Sequence, residues 1–269
     1  MNLALIALAS LILVQAPMPE PEKLAREIEA RQRRMDELRE DYTFHEIVVT
    51  DELDPKGAVK STETTESDVF FVNGYRVTRL LKKNGKELSG KEDKSEQARI
   101  RKVVEEHMKA PPGHAFNRRG ENTGVSEILP LVKISNPRRL TMNGRSTLTY
   151  DFVGDPHAKA HGLAENAARK IMGTVWIDEA DRQVARLEAH FDDTFRIGGG
   201  FLASIQKGTS LIFEQSRLSP DLWMPSVSEI HLAARELLVK GLRVNLHIKD
   251  SGFHRFDIGI LQQIAPPPQ

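Results

Sequence analysis

Residues 173–236 constrain the fold of this chain most, because their pattern predicts a long antiparallel β-meander. Residues 182–194 alternate apolar and polar side chains, which is the period-2 pattern of a strand with one buried face. Two further apolar runs, 210–218 and 223–236, flank the short turn Ser219-Pro-Asp-Leu222. Strands joined by turns this short are antiparallel neighbours. The sequence therefore predicts a wide sheet with an apolar face that another layer must cover.

The rest of the chain adds hairpins and charged helices to this meander. Asn73-Gly74 and Asn143-Gly144 predict tight hairpins, since both central turn positions need positive φ. Further segments are predicted as helices over residues 23–42, 91–109 and 156–170, and as strands over 242–248 and 253–258. In total the patterns predict about ten strands and three or four helices. They favour one α+β domain built on a curved antiparallel sheet.

The N-terminus carries the information on compartment. Residues 3–14 are an unbroken run of apolar and small residues that ends in Val14-Gln15-Ala16, a site of the kind that signal peptidase prefers. The run is shorter than the roughly 20 residues that span a bilayer. We therefore expect residues 1–16 to be a signal peptide and the protein to be periplasmic or secreted. A membrane anchor formed by the uncleaved segment is the alternative.

Behind this leader the composition is uniform, and it excludes several classes of function. A proline-rich spacer is predicted over residues 17–22, a single domain over 23–260 and a flexible tail over 261–269. Lys and Arg together number 38, as do Asp and Glu, so no basic surface for nucleic acid is expected. The absence of cysteine excludes disulfides, a thiolate nucleophile, cysteine-ligated zinc and a lipid-modified mature N-terminus.

Polar groups that could perform chemistry are few. His157 and His161 are spaced i, i+4 on a predicted helix, as in a two-histidine metal clip, but no third ligand follows. His190 lies close to Asp192 and Asp193, a grouping that solvated strand ends also show. Three glycines at 198–200 could form an anion-binding nest, although a sheet corner explains them as well. We therefore expect neither enzymatic activity nor a cofactor.

The apolar side of the predicted sheet is more informative. The candidate ligand-binding residues are Trp176, Leu187, Phe191, Phe201, Leu202, Ile205, Phe213 and Trp223. Phe201, Leu202 and Ile205 have helix-like spacing on the crossing segment and are predicted to form a lid. For each residue alone an ordinary core under helices is the alternative. Taken together, many strands and few helices with narrow apolar stripes favour a hydrophobic cavity.

Two segments carry a family resemblance. Gly173-Thr-Val-Trp-Ile-Asp178, followed by Arg182-Gln-Val-Ala-Arg-Leu-Glu188, resembles the core of the periplasmic outer-membrane lipoprotein-sorting proteins, the LolA/LolB-like group. Lys207-Gly-Thr-Ser-Leu-Ile-Phe-Glu214 and Leu222-Trp-Met-Pro225 resemble segments of its wider branches. The resemblance implies an incomplete antiparallel β-barrel, with helices covering the concave side and a hydrophobic cavity for acyl chains.

The same resemblance implies a function in transport and outer-membrane biogenesis. The expected protein is a non-enzymatic carrier or chaperone whose ligand is a lipid or an acylated protein. Its acceptor would be a membrane or another envelope protein. An envelope structural or protein-interaction module that uses the concave sheet face is the second interpretation, and a hydrolase is the third.

Overall fold

The structure is a computed structural model that describes residues 17–112, 128–197, 203–236 and 240–255. Its helices are α1 (Pro21–Arg39), α2 (Gly90–Lys109) and α3 (Gly162–Ala168), with a 3₁₀ turn at Leu129–Leu131. Its strands are β1 (Tyr42–Leu53), β2 (Val59–Val72), β3 (Tyr75–Lys83), β4 (Lys86–Glu87), β5 (Val132–Met142), β6 (Arg145–Gly154), β7 (Ile171–Asp178), β8 (Gln183–Phe191), β9 (Phe195–Ile197), β10 (Ala203–Ile205), β11 (Ser210–Ser219), β12 (Leu222–Glu236) and β13 (Lys240–Arg255). The predictions for residues 1–16, 198–202 and 261–269 lie outside the described residues.

These strands form one antiparallel sheet in the order β4-β3-β2-β1-β13-β12-β11-β8-β7-β6-β5, while β10 pairs with β12 and β9 pairs with β10. The path ends at β4 on one side and at β5 on the other, so the curved sheet is open. The predicted α+β class and the antiparallel meander β7-β8-β11-β12 are confirmed. Within the described strands, only the β1–β13 ladder joins the N-terminal strands β1–β4 to the others.

The two predicted Asn-Gly hairpins are present. Asn73 and Gly74 have φ values of 52° and 79°, and Asn143 and Gly144 have 50° and 75°. Both central residues of a two-residue type I′ turn need this conformation, which asparagine and glycine adopt at the lowest cost. Turn chemistry therefore sets the β2–β3 and β5–β6 pairings.

Helix α1 covers one face of the sheet, called here the α1 face. Leu24 and Ile28 are fully buried against Leu148, Tyr150 and other side chains of β6, β7 and β8. Paired residues on neighbouring antiparallel strands point to the same face, so the register identifies every other residue on the α1 face. The core of the domain lies between this helix and the sheet.

Helix α2 packs on the opposite face, although the resemblance placed the helices together on the concave side. Ile100 of α2 is buried with Phe70 and Val72, whereas Val69 and Phe71 are buried on the α1 face. The end of β2 is apolar on both faces, and each face has its own helix. A capping box between Ser89 and Glu92 starts α2.

Three predicted elements differ from the structure. The helix predicted over 156–170 begins only at Gly162, because Asp155 and Glu165 carboxylates accept hydrogen bonds from the backbone N–H groups of His157 and His161. The strand predicted over 242–248 and the described part, 253–255, of the strand predicted over 253–258 belong to the single strand β13, in which Gly252 absorbs a register shift at φ 63°. Residues 256–258 lie outside the described residues. Ile205 lies in strand β10, not in a helical lid.

Candidate apolar binding site

Strand β8 supplies the centre of the candidate site. Leu187 and Phe191 point to the α1 face with 4% and 9% of their surfaces exposed. The register of β11 brings Phe213 opposite Leu187 and Leu211 opposite Ala189. Leu211 and Phe213 pack against the core cluster but are only partly buried. A border of half-buried apolar side chains therefore lies beside the part of the α1 face that α1 covers.

A pocket of about 150 Å³ opens at this border. Its apolar lining residues are Ile171, Ala189, Phe191, Leu211 and Ile230, and His190, Thr209 and Ser210 complete the lining. The pairings Ile171 with Phe191, and Leu211 with Ala189 and Ile230, place all five apolar side chains on the α1 face. The pocket is therefore a built concavity in the sheet layer, lined by aliphatic and aromatic groups.

Apolar side chains continue from the pocket across the next strands. Ile230 pairs with Leu246 of β13, and the following row on the same face contains Ile248 and Val48. In the other direction, Ile205 pairs with Phe195, whose ring centroid lies 6.4 Å from that of Phe191. These side chains are half-buried. An extended apolar ligand could therefore follow the surface on either side of the pocket.

Trp223 lies in a region that α1 fills. Only 4% of its surface is exposed, and it packs in a core cluster with Met35 and Phe44. Its indole Nε1 donates to Asp181 Oδ2 at 3.0 Å, and its backbone N–H donates to Met35 Sδ at 3.2 Å. The space around this tryptophan is therefore occupied by side chains of the protein itself.

A buried polar anchor fixes the C-terminal half of α1. Arg39 donates from Nε to the Trp223 carbonyl at 2.9 Å, from Nη1 to Asp36 Oδ1 at 2.7 Å and from Nη2 to Gln215 Oε1. Burial lowers the pKa of the Arg39 guanidinium, and the Asp36 carboxylate opposes this effect. About two turns before Arg39, Gln32 donates to Gln183 at 2.6 Å. These bonds restrain α1 over the filled part of the face.

Trp176 lies on the face opposite to the pocket. Its neighbours Val175 and Ile177 are buried on the α1 face, so alternation along β7 directs the indole to the other side. There the guanidinium of Arg186 lies 5.7 Å from the centroid of the indole ring, a cation–π distance. Trp176 therefore does not belong to the apolar surface around the pocket.

The sequence-predicted residues are thus divided by the fold. Leu187, Phe191, Phe213 and Ile205 share the α1 face at or beside the pocket. Phe201 and Leu202 lie outside the described residues. Sequence reasoning missed the wall residues Ile171, Leu211 and Ile230, because it favoured aromatic side chains. The alternation of Leu211 with Phe213 was the signal that could have identified Leu211.

The polar groups noted in the sequence are not brought together. His157 and His161 lie in the segment before α3 and share no helix face. Asp192 pairs with Lys207 at 3.1 Å, and Asp193 accepts from the backbone of Thr194. Over residues 17–112, 128–197, 203–236 and 240–255, no group of three or more His, Asp or Glu side chains is placed to hold a metal ion. None of the helices described there is long and apolar enough to cross a membrane.

Solved structures that resemble this chain overlap with it only loosely. The chain resembles a lipoprotein-sorting domain. This is the crystal structure of a proposed outer membrane lipoprotein-sorting protein domain from Vibrio parahaemolyticus, with 11% identity and a TM-score of 0.40 over 90% of this chain and 95% of that chain. The MucA/MucB complex of Pseudomonas aeruginosa follows, with 9% identity and a TM-score of 0.25 over 89% and 97%. No family model and no curated protein matches the chain. Overlaps this loose carry no argument about function.

Proposed function

We propose that this protein is a non-enzymatic carrier or chaperone that holds the acyl chain of a lipid or of a lipidated protein on its α1 face. The apolar pocket beside Phe191, Leu211 and Ile230 carries this proposal. It exposes apolar groups to a ligand, because the side chain of His190 alternates to the opposite face, and half-buried apolar rows extend from it. A pocket with this lining selects for alkyl or aromatic groups and against polar solutes.

The size of the pocket decides how such a ligand lies. An engineered apolar cavity of about 150 Å³ binds benzene, so the space here suits about six carbon atoms. At about 0.8 kcal/mol per methylene, those atoms contribute roughly 5 kcal/mol before ordering costs. A sixteen-carbon chain would gain about 12 kcal/mol if it were fully buried. We therefore propose that the chain end occupies the pocket and that the remainder lies along Leu246 and Ile248.

A carrier must also release its ligand, and it must reach the compartment where the acceptor lies. A ligand held mainly by apolar contact is released to a second apolar environment, so we propose a membrane or an envelope protein as acceptor. The apolar run 3–14 with Val14-Gln15-Ala16 supports export to the periplasm.

The test is ligand binding by a matched pair of variants on strand β11. Leu211→Asn places an amide in the pocket wall, where its desolvation costs about 1–3 kcal/mol. The probe is 11-(dansylamino)undecanoic acid, whose emission rises in apolar surroundings. Protein tryptophan emission is unsuitable because Trp176 and Trp223 both lie away from the pocket. We expect Leu211→Asn to raise the Kd about tenfold or more, since each 1.4 kcal/mol is a factor of ten.

The control is Ile212→Asn, the same kind of change on the neighbouring residue. Ile212 is also half-buried, but it pairs with Glu188 and Glu229 on the opposite face. It should bind the probe as the wild-type protein does. Equal loss of binding by both folded variants, or no saturable binding by the wild-type protein, would contradict the proposal. Protein partners that bind the α1 face without any lipid would instead favour an interaction module.

A further inference from the structure

The ladder between β1 and β13 is the seam of the sheet. It pairs residues from Tyr42 with Arg255 to Glu52 with Val244. Among the described strands it alone connects β1–β4 with the remaining strands. Whatever weakens this ladder therefore weakens the connection between two parts of the sheet.

Two carboxyl groups oppose each other within this seam. Glu46 of β1 and Asp250 of β13 are direct cross-strand partners on the α1 face. Side chains in such a pair have Cβ atoms about 4.5–5.5 Å apart, and like charges in direct opposition destabilise the pairing. Both carboxyl groups lie beside the apolar pair Val48 and Ile248. The seam therefore contains a like-charge contact unless one carboxyl is neutral.

The surrounding groups compensate the charge of Asp250 only in part. Arg76 of β3 directs Nη2 to Glu46 Oε2 at 2.5 Å and Nη1 to Thr78 Oγ1 at 2.9 Å. On β2 the partner of Glu46 is the uncharged Ser67, and the β12 segment beside Asp250 carries Ser226 and Val227. Asp250 Oδ1 is buried and has no hydrogen-bond partner within the described part of the chain. Burial first, and then the charge of Glu46, raise the pKa of Asp250 to about 7, against the opposing effect of Arg76.

We propose that Asp250 and Glu46 form a proton-controlled latch in the β1–β13 seam, which is closed while Asp250 is protonated and loosens when Asp250 ionises. In a solvated, opened seam the carboxyl would return to its ordinary pKa of 3.8. The closed state then binds one more proton than the open state between about pH 4 and pH 7. Closure is thus favoured fully below this window and loses its advantage as the pH rises through it.

The size of the effect follows from the two pKa values. Each pH unit between them changes the opening equilibrium tenfold, so the opening constant rises roughly a thousandfold across the whole window. Above about pH 7 it becomes constant, because Asp250 is ionised in both states. This behaviour is independent of any bound ligand, so its failure would not bear on the proposed carrier function.

The experiment measures the latch at two levels. Carbon-13 NMR of the aspartate carboxyls gives the titration midpoint of Asp250 in the wild-type protein. Hydrogen exchange of β1 and β13 amides between pH 5 and pH 7, corrected for intrinsic rates, gives the opening constant. We expect a midpoint near 7 and a roughly fiftyfold rise in opening over those two pH units, because Asp250 is half ionised in the closed state at pH 7.

Two variants and a control identify the group responsible. Asp250→Asn should keep the seam closed and make opening independent of pH, while Glu46→Gln should shift the midpoint of Asp250 downward. Asp51→Asn changes a carboxylate on the opposite face of β1, one that accepts from Thr62 at 2.5 Å, and it should retain the wild-type pH dependence. An Asp250 midpoint near 4, or a pH dependence that survives in Asp250→Asn, would overturn the proposal. The wild-type NMR titration decides the matter if the Asn variant does not fold.

Discussion

Replacing Arg39 by methionine tests whether the buried polar anchor holds α1 on the sheet. Only 5% of the arginine side chain is exposed, and its guanidinium donates to the Trp223 carbonyl, to Asp36 and to Gln215. Methionine keeps an unbranched apolar stem but removes every donor. The buried Asp36 carboxylate then loses its cation. Breaking a buried pair from one side costs about 3–5 kcal/mol, so we expect the free energy of unfolding to fall by that amount.

Urea denaturation followed by circular dichroism measures this change. With a slope of about 2–3 kcal/mol per molar urea, the midpoint should fall by more than about 1 M. The control is Arg33→Met on the same helix; the side chain of Arg33 is 55% exposed and pairs with Glu29. An exposed pair contributes about 0–1 kcal/mol, so this variant should be nearly neutral.

A double variant separates the lost pair from the lost packing. Asp36→Leu combined with Arg39→Met removes both charges from the buried region, and such replacements are often neutral or stabilising. We expect it to regain much of the stability lost in Arg39→Met. The reasoning is refuted if Arg39→Met is no more destabilising than Arg33→Met, or if the double variant is the less stable of the two.

Two further predictions concern the meander and the leader. A Cβ on Gly173 would lie 1.8 Å from the Glu188 carbonyl oxygen, so Gly173→Ala should lower the free energy of unfolding in urea by about 2 kcal/mol or more. The control Gly90→Ala should not lower it, because the space around Gly90 is open. Unchanged stability of Gly173→Ala would show that the backbones of β7 and β8 do not approach each other this closely at Gly173. The mature protein should lack residues 1–16, which N-terminal sequencing of the exported protein measures. An exported protein that still begins at Met1 would refute cleavage at Ala16.

Local patterns in the sequence were sufficient for much of the sheet. The alternation along β8 and the Asn-Gly turns act between residues close in sequence, so the meander and the hairpins could be predicted from them. The apolar stripe of α1 likewise predicted a helix with one apolar face, and that face packs on the sheet. Where a side chain competed for backbone hydrogen bonds, as Asp155 and Glu165 do before α3, the periodic pattern predicted too long a helix.

The site depended on register, which the sequence left undetermined. A shift of one residue in β7 would turn Trp176 towards α1, and the burial of Val175 and Ile177 together with the pairing of Trp176 with Arg186 shows that it points away. Leu211 and Ile230 became visible as pocket walls only when β11 and β12 were placed beside β8. The pairing of Glu46 with Asp250 joins the first and the last of the described strands along the chain, and no local pattern signals it.

The most direct test of the carrier proposal is photolabelling with a fatty acid that carries a diazirine at its terminal carbon. After irradiation and proteolysis, mass spectrometry locates the modified residues. The account predicts saturable labelling of the segments that contain Phe191, Leu211 and Ile230, reduced in Leu211→Asn and retained in Ile212→Asn. Labelling confined to exposed apolar residues such as Met108 and Leu163, or labelling that does not saturate, would contradict it.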